Sequence, residues 1–377
     1  MVRPEPTFLV NDLLYALREV GSKVRRLPEK ISARSKSSLV RILESGVPAV
    51  NYGRLAPMKA GRPIGGEIKL IHLRKAFPEC FDNFNLIYLV SSALPAQVEE
   101  IVKVAKSRGA KFVWNQNGVA YPGCYGDFYP WFNRRMATLR NQADFIINQS
   151  EFSRISAERY LGSSNAPSGI LFNPVDTEVF SPRMQSLPDG PWRILAAGTS
   201  HALYRTKSAL DTLRELLSRG HDVHLTIAGE FRWKDAEVEV REAMRGLERH
   251  VTILPPFRQE EAPEIYRAAH LLLHTKYNDP CPTVPIEAMA CGLPVVGTRS
   301  GGMPELVPDS CGILVPVEQG WCRDLAGDPG FLADAVECIM EKHVVMTEAA
   351  RSHAVRTFQV GAWLERHREI LLEVTSR

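Results

Sequence analysis

Two carboxylates, Asp279 and Glu287, stand at either end of a proline-rich run of seven residues that joins a predicted strand to a predicted helix. Pro285 falls in the first turn of that helix, where the N–H that proline lacks would have no partner within the helix. The other N–H groups of such a turn suit a pyrophosphate. Glu287, inside the helix, can reach the hydroxyls of a ribose. Asp279, at the strand end, lies nearer to a sugar attached to that pyrophosphate.

A glycine pair, Gly301 and Gly302, follows the same helix after one more predicted strand at 294–297. Because glycine has no side chain, the pair allows the backbone to approach a ligand closely. The alternative for the whole region is an ordinary connection between a strand and a helix, in which the two acids occur by chance. The spacing of the acids, the glycine pair and the surrounding alternation of strands and helices together favour a binding site.

Apolar strands alternate with amphipathic helices through both halves of the chain, which is typical of parallel α/β sheets. Strands are predicted at 48–52, 86–90, 111–114, 145–147 and 169–172, and in the second half at 192–197, 223–228, 251–254, 271–274, 294–297 and 312–315. Helices are predicted at 68–76, 96–107, 132–142, 207–219, 236–248, 260–268, 284–290, 329–343 and 360–373. Ligands of such sheets lie at the carboxyl ends of the strands.

The chain is long enough for two domains, because one core rarely extends beyond about 300 residues and this chain has 377. Residues 181–191 contain three prolines and a glycine, which is typical of a linker. We therefore predict an N-terminal domain at 1–182 and a C-terminal domain at 191–355. Two such domains facing each other would form a cleft that can hold two substrates.

The segment from Asp279 to Glu305 resembles the E-x(7)-E signature and the following G-x-P-V-V and G-G-x-P-E block of the family 4 glycosyltransferases, also called glycosyl transferases group 1. Residues 170–182, ILFNPVDTEVFSP, are similar to the family segment that closes the N-terminal domain. Residues 147–154 resemble the strand and helix start that precede it. The matches together cover about residues 48–320.

The resemblance implies an α/β chain of the GT-B fold, in which two Rossmann-like domains with mostly parallel sheets face each other. It also implies that the last helix, at 356–377, crosses back to the N-terminal domain. The expected activity is transfer of a hexosyl group, with retention at the anomeric carbon, from a nucleotide diphosphate sugar to a glycan, lipid-linked or small-molecule acceptor. Family members of this kind need no cofactor and generally no bound metal ion.

The family's site residues can be carried over to matching positions of the C-terminal half. Glu287 would hold the ribose hydroxyls and Asp279 would contact the donor sugar. Lys207 would pair with the donor phosphates and stabilise the departing diphosphate without a metal. Thr283 and Val284 would line the pyrophosphate turn. Asp279, Glu287 and Lys207 are therefore expected to be catalytic.

The sequence departs from the family pattern around these residues. The first acid is Asp279 instead of glutamate, so its reach is one methylene shorter. The arginine that usually precedes the lysine is replaced by His201, and the nearest arginine is Arg205. Either residue can serve, and Arg205 is the preferred donor-binding candidate. Lys207 is followed by Ser208 instead of glycine.

On the acceptor side, the glycines Gly65 and Gly66 resemble the family's glycine-rich loop after the first strand, which abuts the phosphates or the acceptor. Many members carry a histidine or an aspartate where this chain has Asn117, and no histidine occurs between His72 and His201. A transfer in which the leaving phosphate takes the acceptor proton needs no such base. Asn117 can then hydrogen-bond the donor sugar, and it is the fourth expected catalytic residue.

The segment 121–132 contains six aromatic residues in twelve. Such a cluster can stack on a sugar or a lipid acceptor, and packing in the core is the alternative. Its glycines and prolines favour a surface loop. Within it, Tyr125 and Asp127 join Asn117 as acceptor-side candidates.

Charge is distributed unevenly along the chain. Residues 1–180 contain 24 Lys and Arg against 16 Asp and Glu, whereas the remainder contains 22 against 27. The segment 1–40 combines an apolar helical stripe with a run of cations, so it can lie on an anionic membrane surface. The alternative is a helix packed on its own domain with a solvated basic face. A basic half also suits an acidic acceptor.

Composition limits the remaining possibilities. No apolar run is long enough to span a membrane, and the N-terminus lacks a signal-peptide pattern. A cytoplasmic protein, with peripheral contact to the inner face of the membrane, is therefore expected. Seven cysteines without a C-x-x-C pair argue against a zinc site or a disulfide framework. No nucleic-acid partner is expected.

Two other functions fit the same features. A nucleotide-sugar isomerase of the GT-B kind would need acid and base residues near the sugar, and the sequence does not indicate them. A non-catalytic subunit that only binds a sugar nucleotide would fit the Asp279 substitution and the missing histidine. Product analysis without an acceptor separates the isomerase from the transferase, because an isomerase would return an epimerised donor.

Overall fold

The computed structural model describes residues 47–53 and 66–377. By contacts the chain divides into two compact units. The described part of unit 1 runs up to Asn148 and includes Ser156–Gly169 and Leu364–Arg377. Unit 2 consists of Gln149–Ile155 and Ile170–Trp363. The boundaries predicted at 182 and 191 stay a prediction, and residues 1–40 and Gly65 lie outside the described residues.

Unit 1 is built on a five-stranded sheet whose strands lie in chain order, and its first four strands pair in parallel. The strands are β1 (Val50–Asn51), β2 (Leu86–Val90), β3 (Lys111–Gln116), β4 (Phe145–Asn148) and β5 (Ser168–Ile170). Its helices are α1 (Gly66–Ala76), α2 (Val98–Ser107), α3 (Pro122–Tyr125) and α4 (Tyr129–Arg140), with a 3₁₀ turn at Gly126–Phe128. Helix α5 (Glu151–Leu161) begins in unit 2 and ends in unit 1.

The core of unit 1 explains why its middle strands are continuous apolar runs. All five residues of β2, Leu-Ile-Tyr-Leu-Val, are buried, as expected for a parallel strand covered on both faces. Strand β3 is buried from Phe112 onward, and its last two residues, Asn115 and Gln116, are polar. Burying such a polar pair costs free energy unless both side chains are hydrogen-bonded.

Unit 2 is built on a six-stranded sheet in the order β11-β10-β9-β6-β7-β8, and all neighbours are parallel. The strands are β6 (Trp192–Ala197), β7 (Val223–Ala228), β8 (Val251–Leu254), β9 (Leu271–His274), β10 (Val295–Thr298) and β11 (Gly312–Val315). This is the doubly wound Rossmann order, in which the direction of winding reverses between β6 and β9. Ligands of such sheets bind at the carboxyl ends of these two strands.

The helices of unit 2 cover both faces of its sheet. They are α6 (Leu203–Ser218), α7 (Ala236–Ala243), α8 (Ala262–Arg267), α9 (Thr283–Ala290), α10 (Met303–Leu306) and α11 (Pro329–Phe358). Asp328 caps α11, because its carboxylate accepts hydrogen bonds from the N–H groups of Gly330 and Phe331.

Helix α11 continues 15 residues beyond the predicted end at 343. Its last buried positions are Met346, Ala350, Ala354 and Phe358, spaced by four residues, so they line one face of a helix. Two of them are alanines, which give only a weak apolar signal in the sequence. After Gln359 the chain enters α12 (Val360–Ser376), most of which belongs to unit 1. In the described part of the chain, no helix is both long and apolar enough to cross a membrane.

Candidate functional site

A small pocket, open to solvent, lies where the winding of the second sheet reverses. Gly198 follows β6 in this pocket, Gly229 follows β7 and Thr275 follows β9. The Val284 methyl Cγ2 of α9 packs against Gly198. The first turn of α9 therefore meets the end of β6, as the sequence requires for a pyrophosphate turn.

Helix α9 begins at Thr283 after an extended Pro282. The first N–H groups of a helix have no partners inside it, so those of Thr283 and Val284 are oriented for an anion. Pro285 has no N–H to offer, as the sequence already indicated. The helix dipole adds a partial positive charge at this end.

Asp279 is held in this region by an ion pair with Lys276, whose Nζ lies 2.8 Å from Asp279 Oδ2. Burial of Asp279 opposes its ionisation, but nearby cations, Lys276 first among them, outweigh burial and hold its pKa below the usual range. Asp279 is thus an ionised carboxylate beside a cation at the carboxyl end of β9.

Arg205 lies in the same pocket and is partly buried. One guanidinium nitrogen donates to the carbonyl oxygen of Thr199, whereas Nε has no hydrogen-bond partner among the described residues. Burial lowers the pKa of Arg205, and the carboxylates of Asp279 and Asp324 act in the opposite direction. Arg205 is therefore a partly buried cation that has donor capacity to spare and interacts electrostatically with Asp279.

His201, the alternative to Arg205, lies within electrostatic range of the same cations. Desolvation lowers the pKa of His201 first, and Lys276 and Arg205 lower it further. Its imidazole therefore stays neutral at pH 7, whereas Arg205 carries a positive charge, and the role of either residue at a donor phosphate stays a prediction.

Glu287 is buried in α9 and both of its carboxylate oxygens accept hydrogen bonds. Gln259 Nε2 lies 2.7 Å from Oε1, and the Tyr266 hydroxyl lies 2.7 Å from Oε2. Burial raises the pKa of Glu287 to about 7, although both hydrogen bonds act against the shift. Tyr266 and Gln259 fix the carboxylate in one orientation, and the sequence reasoning did not identify either residue.

Lys207 stands on α6 with its side chain mostly exposed, and its Nζ pairs with Asp211 one turn later. The structure thus brings together Arg205, Asp279 and the start of α9. Lys276 also lies at this site, and it was not predicted from the sequence motif. The role of Lys207 at the donor phosphates stays a prediction. Lys276 could have been noticed from its place three residues before Asp279 in the strand-end loop.

The glycine pair after β10 packs against the loop that carries Asp279. A side chain on Gly301 would lie 2.3 Å from the Asp279 carbonyl oxygen, and one on Gly302 would lie 2.1 Å from the Pro280 carbonyl oxygen. The close backbone approach predicted at this pair is therefore an approach to the protein's own chain. The pair fixes the loop that presents Asp279.

The end of the motif, Glu305, caps another helix of the fold. Its carboxylate accepts hydrogen bonds from the N–H groups of Glu151 (2.6 Å) and Phe152 (2.8 Å), which begin α5. The Ser150 hydroxyl donates to the Pro280 carbonyl oxygen. Glu305 therefore helps to hold the segment 149–155 in unit 2.

In unit 1, Asn117 lies just after β3 and is 9% exposed. Lys69 of α1 donates to its Oδ1 at 2.7 Å, and its own Nδ2 donates to the Ser92 hydroxyl at 2.5 Å. Gly66 begins α1, and a side chain there would lie 2.4 Å from Ser92 Oγ. Gly66 thus permits the close packing of α1 on the strand ends, as a glycine-rich turn predicts.

The aromatic segment forms helices and not the predicted loop. Pro122–Tyr125, Gly126–Phe128 and Tyr129–Arg140 are consecutive helical segments. Tyr125 packs on Phe132 with 4.4 Å between ring centroids, and Asp127 is exposed. The loop prediction was wrong because the glycines and prolines fall at helix starts and ends, where both are tolerated.

The second half of the chain is similar in sequence to known proteins. Residues 192–342 match a family model described as glycosyl transferases group 1. The chain is 36% identical over 113 residues to a D-inositol 3-phosphate glycosyltransferase of Mycobacteroides abscessus, covering 29% of this chain and 23% of that protein. It is 27% identical over 233 residues to the D-inositol 3-phosphate glycosyltransferase of Mycolicibacterium smegmatis, and this match covers 57% of this chain and 50% of that protein. The chain therefore spans at most half the length of these relatives.

Solved structures match most of the chain. Anabaena Alr3699/HepE in complex with UDP-glucose is 18% identical with a TM-score of 0.67, over 84% of this chain and 98% of that chain. Sucrose-phosphate synthase from Thermosynechococcus elongatus is 18% identical with a TM-score of 0.61, over 82% of this chain and 76% of that chain. At this identity the likeness shows the fold, and it confirms the predicted α/β class with two parallel sheets of the GT-B kind.

Proposed function

We propose, from the match of residues 192–342 to the family model described as glycosyl transferases group 1, that the chain transfers a hexosyl group from a nucleotide diphosphate sugar with retention at the anomeric carbon. One observation carries the proposal. Asp279 and Glu287 bracket the first turn of α9, where Val284 packs against Gly198, and Gly198 and the cation Arg205 line the same pocket. A carboxylate at each end and positive charge between them fit a sugar, a diphosphate and a ribose in that order.

The ribose end of the donor is assigned to Glu287. Its carboxylate is held by Tyr266 and Gln259, and the remaining acceptor capacity of its two oxygens suits the two adjacent hydroxyls of a ribose. The structural neighbours were solved with UDP and UDP-glucose, so uridine diphosphate hexoses are the first donors to test.

The diphosphate is assigned to Arg205, Lys276 and the N–H groups at the start of α9. Charge-assisted hydrogen bonds to phosphate are stronger than neutral ones, and both cations lie near Asp279, where the sugar would be joined. Lys207 is the second candidate for the same role, by its place in the family pattern.

The reaction that these groups support breaks the bond between the anomeric carbon and the diphosphate oxygen. The acceptor hydroxyl forms its bond to the same face of the sugar, and its proton passes to the leaving phosphate oxygen. The departing diphosphate gains negative charge, which Arg205, Lys276 and the α9 dipole stabilise without rearranging. Asp279 accepts hydrogen bonds from the sugar hydroxyls and orients the ring.

The acceptor is proposed only by class. Asn117, Tyr125 and Asp127 lie on unit 1, whose sequence carries the excess of positive charge. We propose a glycan or lipid-linked acceptor with anionic groups, and peripheral contact with an anionic membrane through residues 1–40. Co-sedimentation with phosphatidylglycerol vesicles should fall when residues 1–40 are removed, and unchanged binding would exclude that segment as the anchor.

A thermal-shift panel tests the donor site directly. UDP, GDP, ADP and dTDP, and their hexose derivatives, are added to the wild type and to Glu287→Ala. A bound nucleotide stabilises the folded state in proportion to its concentration over Kd. We expect one nucleotide class to raise Tm in the wild type and to lose this effect in Glu287→Ala. No shift with any nucleotide would exclude the proposed function.

Turnover separates transfer from the other two functions that the sequence allows. The donor that binds is incubated with the protein, first without an acceptor and then with a panel of glycans. Release of the nucleotide diphosphate supports the transferase, and an epimerised donor would point to an isomerase. Binding with neither outcome would leave a sugar-nucleotide-binding subunit.

A further inference from the structure

A chain of buried polar side chains crosses unit 1 from α1 to α12. Lys69 Nζ lies 2.7 Å from Asn117 Oδ1 and 3.0 Å from Asn115 Oδ1. Asn115 Nδ2 donates to the Tyr88 hydroxyl at 2.8 Å, and that hydroxyl lies 2.8 Å from His367 Nε2. Lys69, Asn115, Tyr88 and His367 are each at most 4% exposed. Four elements of the unit are therefore joined by hydrogen bonds at the carboxyl end of β3.

Asn117 is held by hydrogen bonds on its backbone and on both sides of its side-chain amide. Its backbone N–H donates to the Ser91 hydroxyl (2.9 Å), its Nδ2 donates to the Ser92 hydroxyl (2.5 Å), and its Oδ1 accepts from Lys69. An ammonium group only donates, so a flipped amide would set donor against donor. Lys69 thus decides which face of the Asn117 amide is oxygen and which is nitrogen.

Burying the ammonium group of Lys69 has a cost in free energy. Its desolvation costs several kcal/mol unless hydrogen bonds offset it, by order of magnitude. An apolar side chain of similar length would pack on α1 without that cost. Lys69 instead fixes the side-chain amide of Asn117 at the sheet edge where ligands of α/β sheets lie.

We propose that Lys69 is a positioning residue for the transfer reaction, and that it acts by holding Asn117 in one amide orientation. The inference rests on the proposed function, because Asn117 has a catalytic part only if the chain transfers a sugar. The hydrogen bonds from Lys69 to Asn115 and Asn117 lie within unit 1, whereas the proposed donor site is built from residues of unit 2, so Lys69 should affect turnover and leave nucleotide binding unchanged.

The first test compares Lys69→Met with the matched control Lys103→Met, which removes an exposed lysine of α2. Release of UDP from UDP-glucose gives kcat, and calorimetry with UDP gives Kd. Misplacing a reacting group can cost up to about a hundredfold in rate. We expect kcat to fall at least about tenfold in Lys69→Met with the Kd for UDP unchanged, and Lys103→Met to match the wild type. An unchanged kcat in Lys69→Met would overturn the proposal.

A double-mutant cycle separates positioning from general damage. If Lys69 acts through Asn117, the double variant Lys69→Met/Asn117→Ala should be no slower than Asn117→Ala alone. Independent, multiplying losses would overturn the proposal. If Lys69→Met fails to fold, Lys69→Gln carries the test, because its amide N–H can still donate to Asn117. Lys69→Gln should then lower kcat in the wild type and not in the Asn117→Ala background, and an equal loss in both backgrounds, or no loss in the wild type, would overturn the proposal.

Failure of the inference and failure of the proposed function give different results. A wild type that binds no nucleotide fails the proposed function. A wild type that binds UDP and releases it from UDP-glucose, together with a fully active Lys69→Met, fails only the assignment of Lys69.

Discussion

Lys276 and Asp279 form an ion pair at the carboxyl end of β9, with 2.8 Å between Nζ and Oδ2. The two residues lie three apart in one loop, and Asp279 also interacts electrostatically with the partly buried Arg205. A cation that is paired with one carboxylate can still donate its other N–H groups to a phosphate, because an ammonium group has three. The pair is therefore a link between the sugar end and the diphosphate end of the proposed donor site.

Removing Lys276 should weaken nucleotide binding. Hydrogen bonds to charged groups are worth roughly 1.5–3 kcal/mol, which corresponds to about tenfold or more in Kd. Calorimetry with UDP should show this loss in Lys276→Ala and near wild-type binding in Lys276→Arg and in Lys342→Ala, an exposed lysine on α11. A Kd in Lys276→Ala equal to that of the wild type would remove Lys276 from the site.

The same titration with Lys207→Ala tests the other candidate lysine. Lys207 is exposed and paired with Asp211 on its own helix, and like Lys276 it keeps further N–H groups that can donate to a phosphate. A loss of affinity in Lys207→Ala as large as that in Lys276→Ala would support the family assignment. Full affinity and full turnover would restrict the diphosphate site to Arg205, Lys276 and the α9 turn.

Glu287 should make folding stability depend on pH. Its pKa is about 7 in the folded protein against an ordinary value of 4.5, so between these values the folded state keeps a proton that the unfolded state has released. Stability therefore falls as pH rises from about 4.5 to 7. The total effect is up to about 3 kcal/mol, from the free energy per unit of pKa shift.

Urea unfolding of the ligand-free protein at pH 5, 6, 7 and 8 measures this dependence. Glu287→Gln cannot ionise, so its free energy of unfolding should not carry this slope. The difference between the wild type and Glu287→Gln should thus change steadily between pH 5 and 7 in favour of the variant. Parallel pH curves for the two proteins would show that Glu287 ionises normally.

His274, the last residue of β9, is 3% exposed, and neither ring nitrogen has a hydrogen-bond partner among the described residues. Burial lowers its pKa to about 3. Below about pH 6.5 His274 is protonated in the unfolded chain but not in the folded chain. The free energy of unfolding therefore falls as pH drops below that value. His274→Leu should remove this loss and gain about 1–3 kcal/mol at pH 7.5, because two unpaired buried groups disappear.

His353 offers the matched comparison, because its Nε2 lies 3.0 Å from the carbonyl oxygen of Leu306. His353→Leu deletes a formed hydrogen bond and should lower the free energy of unfolding where His274→Leu raises it. Denaturation with urea at pH 7.5 compares the two variants. Destabilisation by His274→Leu as large as that by His353→Leu would mean that the His274 ring has a partner after all.

Tyr88→Phe isolates the hydroxyl that joins Asn115 to His367. The ring should stay in place, where it meets Tyr52 edge to face at 6.1 Å between centroids, while two buried hydrogen bonds are lost. Leaving buried groups unsatisfied costs about 1–3 kcal/mol, and thermal unfolding should report it. A variant as stable as the wild type would mean that the two partners find other hydrogen bonds.

The strands of the second sheet were predictable from the sequence because each is an apolar run bounded by turn residues. The predicted ranges 192–197, 223–228, 251–254, 271–274 and 312–315 are those of the structure. The strand order could not be read from these runs, since pairing of β6 with β9 joins residues about 77 apart. The Asp279–Glu287 spacing located the site because both acids belong to one local loop and helix.

The residues that sequence reasoning missed depend on long-range packing. Lys69 lies 46 and 48 residues from the two asparagines that it binds, and nothing near it in the sequence distinguishes it from a surface lysine of an amphipathic helix. Tyr266 reaches Glu287 across 21 residues for the same reason. Local patterns reveal motifs, whereas the groups that orient a motif come from distant parts of the chain.

The anomeric configuration of the first product tests the central claim most directly. UDP-glucose, which carries an α-linked sugar, is incubated with an acceptor from the glycan panel and with the wild type or Glu287→Ala, and the anomeric proton of the new glycosidic bond is observed by NMR. The account predicts an α-configured product, released together with UDP by the wild type and absent with Glu287→Ala. A β-configured product, or equal release by both proteins, would contradict it.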